Sequence, residues 1–368
     1  MLRALAIALA AVTVLAIPAG AAAAKGEPVT VMTRNVYLGA DLSPAIGAPT
    51  LAEAIDGAGV IYNEVVATNF PERAVPLARE IKSAKPELVG LQEVALWREQ
   101  IPSDNGGPPV SPDPNATSAT DVKYDFLDLL MDQVGPKYRV VGVQEEFDAE
   151  LPADIDGNDS TGGLFGADLD ARLTMRDVIL ARKGVKTKQL KMGHYETRYE
   201  ANVSGIIVPA DRGWLSVMAK VGDASFKFVN THLEAFGDPK IREAQAKELT
   251  KAALRGKGQI VLVGDLNSGT TKRHNIGRPD LGHDPDDPLA FKALEKFGMV
   301  DRGAVQSCCY SSMFDGTLEF THTVDHVLVK PKVKLVDSFV TGNDPGERTP
   351  SGLWPSDHGG VVSTLLLS

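Results

Sequence analysis

Cysteine is almost missing from the chain, and the two residues that occur, Cys308 and Cys309, are neighbours. A bridge between neighbours closes a strained ring and removes almost no chain entropy, so no disulfide framework holds this fold together. Free thiols and a vicinal disulfide both stay open. Positive charge is in deficit as well: 38 lysines and arginines face 48 acidic residues, a formal charge of −10. Such a surface repels polyanions at long range, so nucleic-acid binding would need a locally positive groove or a bound metal. Beyond the first residues, no apolar run approaches the ~20 residues that span a bilayer. No G-x-S-x-G occurs, and nothing puts a serine on a nucleophile elbow.

What is present begins with a leader. Arg3 precedes an apolar, alanine-rich run from Ala4 to Ile17, followed by Pro18, Gly20 and small residues to Ala24. That is the pattern of a secretory signal peptide, with cleavage expected near Ala24. Residues 1–24 are therefore expected to be removed. Residues 25–368 are read as one exported, extracellular, monomeric domain with no obligate protein partner. A hydrophobic content of 43% and a charged content of 23% suit a globular chain with a sizeable core. Asn115, Asn158 and Asn202 open Asn-x-Ser/Thr sequons, which matter only if the source glycosylates.

Short apolar runs ending in polar residues recur along the chain. Val29 to Thr33 reads as a strand with Arg34-Asn35 at its end, and Leu88 to Leu91 is followed by Gln92-Glu93. Phe226 to Val229 leads to Thr231-His232-Leu233-Glu234, and Ile260 to Val263 runs into Gly264-Asp265-Leu266-Asn267. Val324 to Val329 carries Asp325-His326, and Ser356-Asp357-His358 precedes a terminal strand from Val361 to Leu367. Tyr138 to Val143, Arg176 to Arg182 and Leu215 to Val221 are also strand-like. Helical spacing marks Leu51 to Thr68, Glu72 to Ala84, Tyr124 to Gln133, Pro239 to Leu254 and Leu289 to Phe297. Loops are expected near 101–120, 145–170 and 269–288. The middle one holds Asp154-Ile155-Asp156-Gly157-Asn158-Asp159, which fails the EF-hand spacing and reads as a solvated loop.

Residues i and i+2 at a strand end point to the same side, so Asp265 and Asn267 converge. Alone, such a pair reads as a strand followed by an Asx turn. Its repetition at other strand ends changes the reading. Asn35, Glu93, His232, Asp265, Asn267, Asp325, Asp357 and His358 form an oxygen-rich inventory with two histidines that can titrate near neutrality. Mg²⁺, Mn²⁺ or Ca²⁺ suits it better than zinc. His322 and His326 are the minor zinc candidate, because the threonines and valines around them favour strand.

The ordered set Thr33-Arg34-Asn35, Leu91-Gln92-Glu93, Thr231-His232-Leu233, Gly264-Asp265-Leu266-Asn267, Val324-Asp325-His326 and Ser356-Asp357-His358 resembles the endonuclease/exonuclease/phosphatase superfamily. It lies nearest the branch of deoxyribonuclease I and the bacterial sphingomyelinases. Each motif is weak alone, and their joint order is specific. The resemblance implies an α+β fold: a four-layer αββα sandwich, two mixed sheets packed face to face, with one site at the sheet ends. It implies Glu93 as the principal Mg²⁺ ligand, Asn35 nearby or on the phosphate, and Asp357 as a second metal-side carboxylate. It implies that Asp265 orients or deprotonates the attacking water, Asn267 holds the phosphate, His358 is the catalytic histidine and Asp325 orients it. His232 occupies a place where the diesterase branches carry histidine. Arg176 is expected to be a phosphate or structural contact.

The implied activity is metal-assisted hydrolysis of a phosphodiester, in nucleic acid or a phospholipid head group, with transient contact to a membrane surface. The alternatives are a monoesterase of the inositol-phosphatase type and a catalytically inactive secreted binding protein on the same fold. The separated, bridged cysteines of the deoxyribonuclease pattern are missing here. Leu353-Trp354-Pro355 reads first as a buried tryptophan under a loop and second as a membrane contact.

Overall fold

The computed structural model of the chain describes residues 26–106, 117–158, 160, 162–270, 287–303, 305–309, 313 and 320–368. The expected signal peptide at 1–24, the sequon at Asn115 and much of the loops at 101–120 and 269–288 lie outside the described residues. The chain begins with β1 (Glu27–Asn35), α1 (Leu51–Ala67), α2 (Phe70–Ala84), β2 (Leu88–Gln92), β3 (Leu96–Gln100) and β4 (Asp121–Asp125). It continues with α3 (Phe126–Val134), β5 (Tyr138–Ala153), β6 (Leu169–Arg182), β7 (Lys186–His194), β8 (Tyr199–Val203) and β9 (Ile206–Ala210). Then follow β10 (Gly213–Val221), β11 (Ala224–His232), α4 (Pro239–Ala252), β12 (Gln259–Asp265) and α5 (Leu289–Phe297). The last strands are β13 (Val300–Asp301), β14 (Asp325–Lys330), β15 (Lys334–Thr341) and β16 (Gly360–Leu367).

One sheet runs β15-β16-β1-β2-β6-β3-β4, with β5 also paired to β6; the other runs β13-β14-β12-β11-β10-β7. Strands β1 and β2 are parallel, as are β11 and β12, while β16 and β14 join them antiparallel, so both sheets are mixed. The inner faces meet through Val29, Val31, Leu88 and Ile179 against Leu215, Phe226, Phe228, Val261 and Val327. Helices α1 to α3 bury Ile61, Phe70, Leu77, Ile81, Phe126 and Leu130 on the outer face of the first sheet. Helices α4 and α5 do the same for the second sheet with Leu249, Phe291 and Leu294. Central strands covered on both faces read as unbroken apolar runs, which is why Ile260 to Val263 stands out in the sequence. The architecture is the expected α+β, four-layer αββα sandwich.

A polar tie joins the sheets just behind the functional strand ends. Asn230 of β11 donates to the carbonyls of Leu91 (3.0 Å) and Val178 (3.2 Å), and Gln92 donates to Asn230 Oδ1 at 2.6 Å. Gly90 makes room for it: a Cβ there would lie 2.4 Å from Asn230 Oδ1.

Two readings need correction, and three left open are decided. The expected loop at 145–170 is shorter than read: residues 145–153 belong to β5 and 169–170 to β6, paired from Glu145↔Arg176 to Ala153↔Leu169, and 154–168 connect them. Its acids face cations across the ladder, as where Arg172 Nε donates to Asp148 Oδ1 at 2.9 Å, so acidic composition does not mark a loop here. The expected helix from Tyr124 to Gln133 gives its first two residues to β4, and Asp125 caps α3 by accepting from Leu127 N (2.9 Å) and Asp128 N (3.3 Å). Arg176 is structural, since it donates to Asp125 and to the carbonyls of Val94 and Ala95. Trp354 is buried with Leu353, Met313 and Phe320, in keeping with the first of its two readings. Cys308 and Cys309 form a vicinal disulfide.

Candidate active site

Strand register builds the site. Strands β11 and β12 pair His232 with Asp265, and β12 and β14 pair Asp265 with Asp325. Directly opposed residues share a face, so these three side chains form a row across the end of the second sheet. Gly264 permits the close approach of β12 to β11, because a Cβ there would lie 2.0 Å from the Thr231 carbonyl oxygen. In the first sheet Asn35 pairs with Gln92, and Glu93 follows at once. Face-to-face packing joins the two groups: Asn35 Nδ2 donates to Glu93 Oε1 (2.9 Å) and to Asp265 Oδ2 (3.1 Å). Asn35 Oδ1 accepts from Tyr37 N at 2.9 Å, so the amide braces both carboxylates. Tyr37 (φ 58°), Glu93 (φ 59°) and Asn267 (φ 45°) hold left-handed backbone at this mouth. Such conformations are uncommon in residues with a side chain and cluster at functional sites.

The two histidines sit in opposite charge states. His358 lies just before β16, held there by Arg34, which donates to its carbonyl and pairs with Glu80. Its Nδ1 is 2.9 Å from Asp325 Oδ2, which also accepts from Ser307 Oγ at 2.7 Å. Burial disfavours charge on this ring, but Asp325, Asp357 and Asp265 overcome it and hold its pKa well above the usual value. His358 is therefore a cation, donating from Nδ1 to Asp325. Its Nε2–H is left 3.7 Å from Asp265 Oδ2, with Cys308 Sγ at 3.7 Å and Cys309 Sγ at 4.0 Å.

His232 is neutral, because burial, then Arg212, then His358 push its pKa well below the usual value. Arg212 Nη1 lies 3.0 Å from its Nδ1, and a guanidinium can only donate. Nδ1 therefore accepts, and the proton sits on Nε2. That Nε2 is 3.6 Å from Asp265 Oδ2 and 3.1 Å from Asn267 Nδ2, which spends one hydrogen on the Leu233 carbonyl at 2.9 Å. With Nε2 protonated, Asn267 Nδ2 cannot bond to it, and the acceptor facing the Nε2–H is Asp265 Oδ2.

The carboxylates are held above their ordinary range. Burial, then Asp325, raises Asp265 to about 7. Burial, then Asp357, raises Glu93. Behind them Glu146 and Asp177 are pushed well up by burial, with Arg212 near both. Glu93, His232 and Asp265 bring ligand atoms within 4.8 Å of one another, and Asp357 lines the same cavity. Buried carboxylates that raise one another's pKa, with oxygen predominating among the donors, fit a hard divalent cation. His322 and His326 do not form a metal pair. His326 uses Nδ1 on Asp301 (3.0 Å) and Nε2 on the Ser268 carbonyl (2.9 Å), while His322 Nδ1 is bonded to Thr321 Oγ1.

Residues 61–358 match the model of the endonuclease/exonuclease/phosphatase family. The chain belongs to this family. Family members are typically hydrolases acting on phosphoester bonds. A family protein from Leptotrichia buccalis C-1013-b, 12% identical, aligns over 92% of this chain and 99% of its own with a TM-score of 0.52. One from Bacteroides thetaiotaomicron is 14% identical over 94% of this chain and 100% of its own, with a TM-score of 0.50. A mannosyl-6-phosphatase from Bacteroides thetaiotaomicron VPI-5482 is 16% identical over 92% of this chain and 100% of its own, also at 0.50. At these identities the likeness is one of fold. No curated protein matches the chain.

In this family member the structure brings Asn35, Glu93, His232, Asp265, Asn267, Asp325, Asp357 and His358 to one cavity or its immediate wall. Sequence reasoning missed Arg212, Glu234, Glu146, Asp177 and Ser307. Glu234 had a signal, since it follows Thr231-His232-Leu233 directly. Arg212, in the turn between β9 and β10, had none.

Proposed function

We propose that the protein is a secreted, divalent-metal-dependent phosphodiesterase that hydrolyses its substrate by attack of water. The observation that carries the reading is the row His232, Asp265, Asp325 with a charged His358 beside it, opposite Glu93. Hydrolysis bonds the water oxygen to phosphorus and breaks the ester P–O bond. One proton leaves the water and one reaches the departing oxygen. Asp265, with its carboxyl raised to about 7, suits the first transfer once ionised. The His358 cation, fixed by Asp325, suits the second. Neutral His232 and the Asn267 amide supply N–H donors for non-bridging oxygens, where negative charge builds. A hard cation held by Glu93, with Asp357 and Asn35 nearby, would draw charge from the phosphoryl group. The leader at residues 1–24 supports export.

The test offers the purified protein duplex and single-stranded DNA, RNA, sphingomyelin vesicles, inositol polyphosphates and a chromogenic phosphodiester, with Mg²⁺ present. A diester is expected to lead. Chelation should abolish turnover, Mg²⁺ or Mn²⁺ should restore it, and Glu93→Gln should weaken metal binding. Full activity in excess chelator would overturn the reading, and a large preference for monoesters would favour the phosphatase alternative.

A further inference from the structure

The site opens into a cavity of about 250 Å³ whose wall changes character. One part is Glu93, Asp265, Asn267, Asp357 and His358; most of the rest is apolar. Strand geometry explains this. Ala149 and Leu151 on β5, and Leu173 and Met175 on β6, are i, i+2 pairs, so each pair projects from one face of the hairpin. Strand β8 brings Ala201 and Val203 to the same cavity. Small side chains leave the space unfilled. The indole N–H of Trp97, also in the wall, is spent on the Leu38 carbonyl at 2.8 Å, so this residue too presents carbon. Asp41, Arg212 and Glu234 are the charged exceptions: Arg212 and Glu234 are committed to each other and to His232, and Asp41 Oδ1 accepts from Ser43 N and Oγ.

Well-packed interiors rarely leave voids larger than a water molecule, and this cavity is many times that size. A wall with so few hydrogen-bond partners holds water poorly and would strip nucleobase edges or sugar hydroxyls of theirs. A hydrocarbon loses nothing there. The formal charge of −10 adds a long-range barrier to polynucleotides. We infer that this cavity seats the apolar arm of the substrate: the substrate is an amphiphilic phosphate ester with one hydrocarbon chain, and chain length sets its specificity. The inference rests on the phosphodiesterase reading of the adjoining site.

The experiment uses p-nitrophenyl alkyl phosphodiesters, from methyl to decyl, each kept monomeric, with the whole protein and Mg²⁺. kcat/KM is expected to rise about fourfold per added methylene, then level off once the cavity is full. Ala149→Phe, which fills the cavity away from the reacting groups, should leave the methyl ester within about twofold of wild type and abolish the gain with chain length. Ala201→Phe repeats the test from another element if the first variant fails to fold. In parallel, an apolar fluorophore bound to the wild-type protein should be displaced by decyl phosphate and not by methyl phosphate. A flat chain-length series alongside turnover of the methyl ester overturns the inference and leaves the phosphodiesterase intact. If no ester turns over, the enzyme reading fails, and absence of fluorophore displacement then overturns the cavity assignment as well.

Discussion

His358 and His232 lie within reach of the same Asp265 oxygen, yet their neighbours push them to opposite charge states. Asp325 is what makes His358 a fixed cation, so the pair should behave as one unit. Asp325→Asn keeps the shape, removes the charge and frees the ring to hold the wrong tautomer. A loss in kcat of about 10²-fold or more is expected, the scale of general acid–base groups. His358→Ala should lose at least as much, and the double variant should be little worse than His358→Ala. Multiplication of the two losses would show independent action. Arg212 acts one step further out, by fixing the His232 tautomer. It also neutralises Glu234, whose side chain is fully buried. Arg212→Ala would leave that carboxylate without its cation, and a destabilisation of about 3–5 kcal/mol is expected from urea denaturation.

At the scale of elements, the hairpin of β5 and β6 does two jobs. It carries the apolar face of the cavity, and through Arg176 it fastens the start of α3. Arg176 donates to Asp125 and two carbonyls, so its removal should strike stability and spare substrate binding. Arg176→Met is expected to lose about 1.5–3 kcal/mol, the worth of hydrogen bonds to a charged group, with KM unchanged. A raised KM at unchanged stability would restore the phosphate-contact role. Strands β7 and β15 lie at sheet edges, and most of their residues are exposed. Lysines such as Lys186, Lys188, Lys191 and Lys334 there guard against edge pairing and erase the apolar alternation that would mark a strand.

Across the whole molecule, the site is a concentration of like charge held in a protein that is already acidic. Asp265 binds its proton up to about pH 7 when folded, against about 3.9 for a free aspartate. A raised folded pKa stabilises fully below the unfolded value, and that contribution is lost as pH rises through about 7. Glu93, Glu146 and Asp177 are raised in the same direction by burial. Asp125 and Asp148 are lowered, because arginines outweigh burial, so they lose stability only as pH falls below the ordinary carboxylate range. The metal-free Tm is therefore expected to fall between about pH 5 and pH 8, and to fall less in Asp265→Asn. Saturating Mg²⁺ should raise Tm more at pH 8 than at pH 5, since the cation binds the ionised set and stabilises the folded state by mass action. A Tm that rises across this window without metal would contradict the charge assignment.

Much of the site was legible in the sequence because a buried strand is an unbroken apolar run, and the polar residues at its end stand out against it. Asn35, Glu93, His232, Asp265 and Asp325 are all of this kind. The order of those short motifs, with Asp357 and His358 before the last strand, also pointed to the family and so to the four layers. Other features depended on contacts between residues far apart in the chain. The tautomer of His232 comes from Arg212, twenty positions earlier and in a turn. Residues 145–153 of β5 looked like a loop because their acids find their arginines only across the ladder. The cavity is a gap between β5, β6 and β8, set by small side chains facing one another, and no local pattern records a space. Strand ends are a local property of sequence, whereas partners, protonation and empty volume exist only once the sheets have packed.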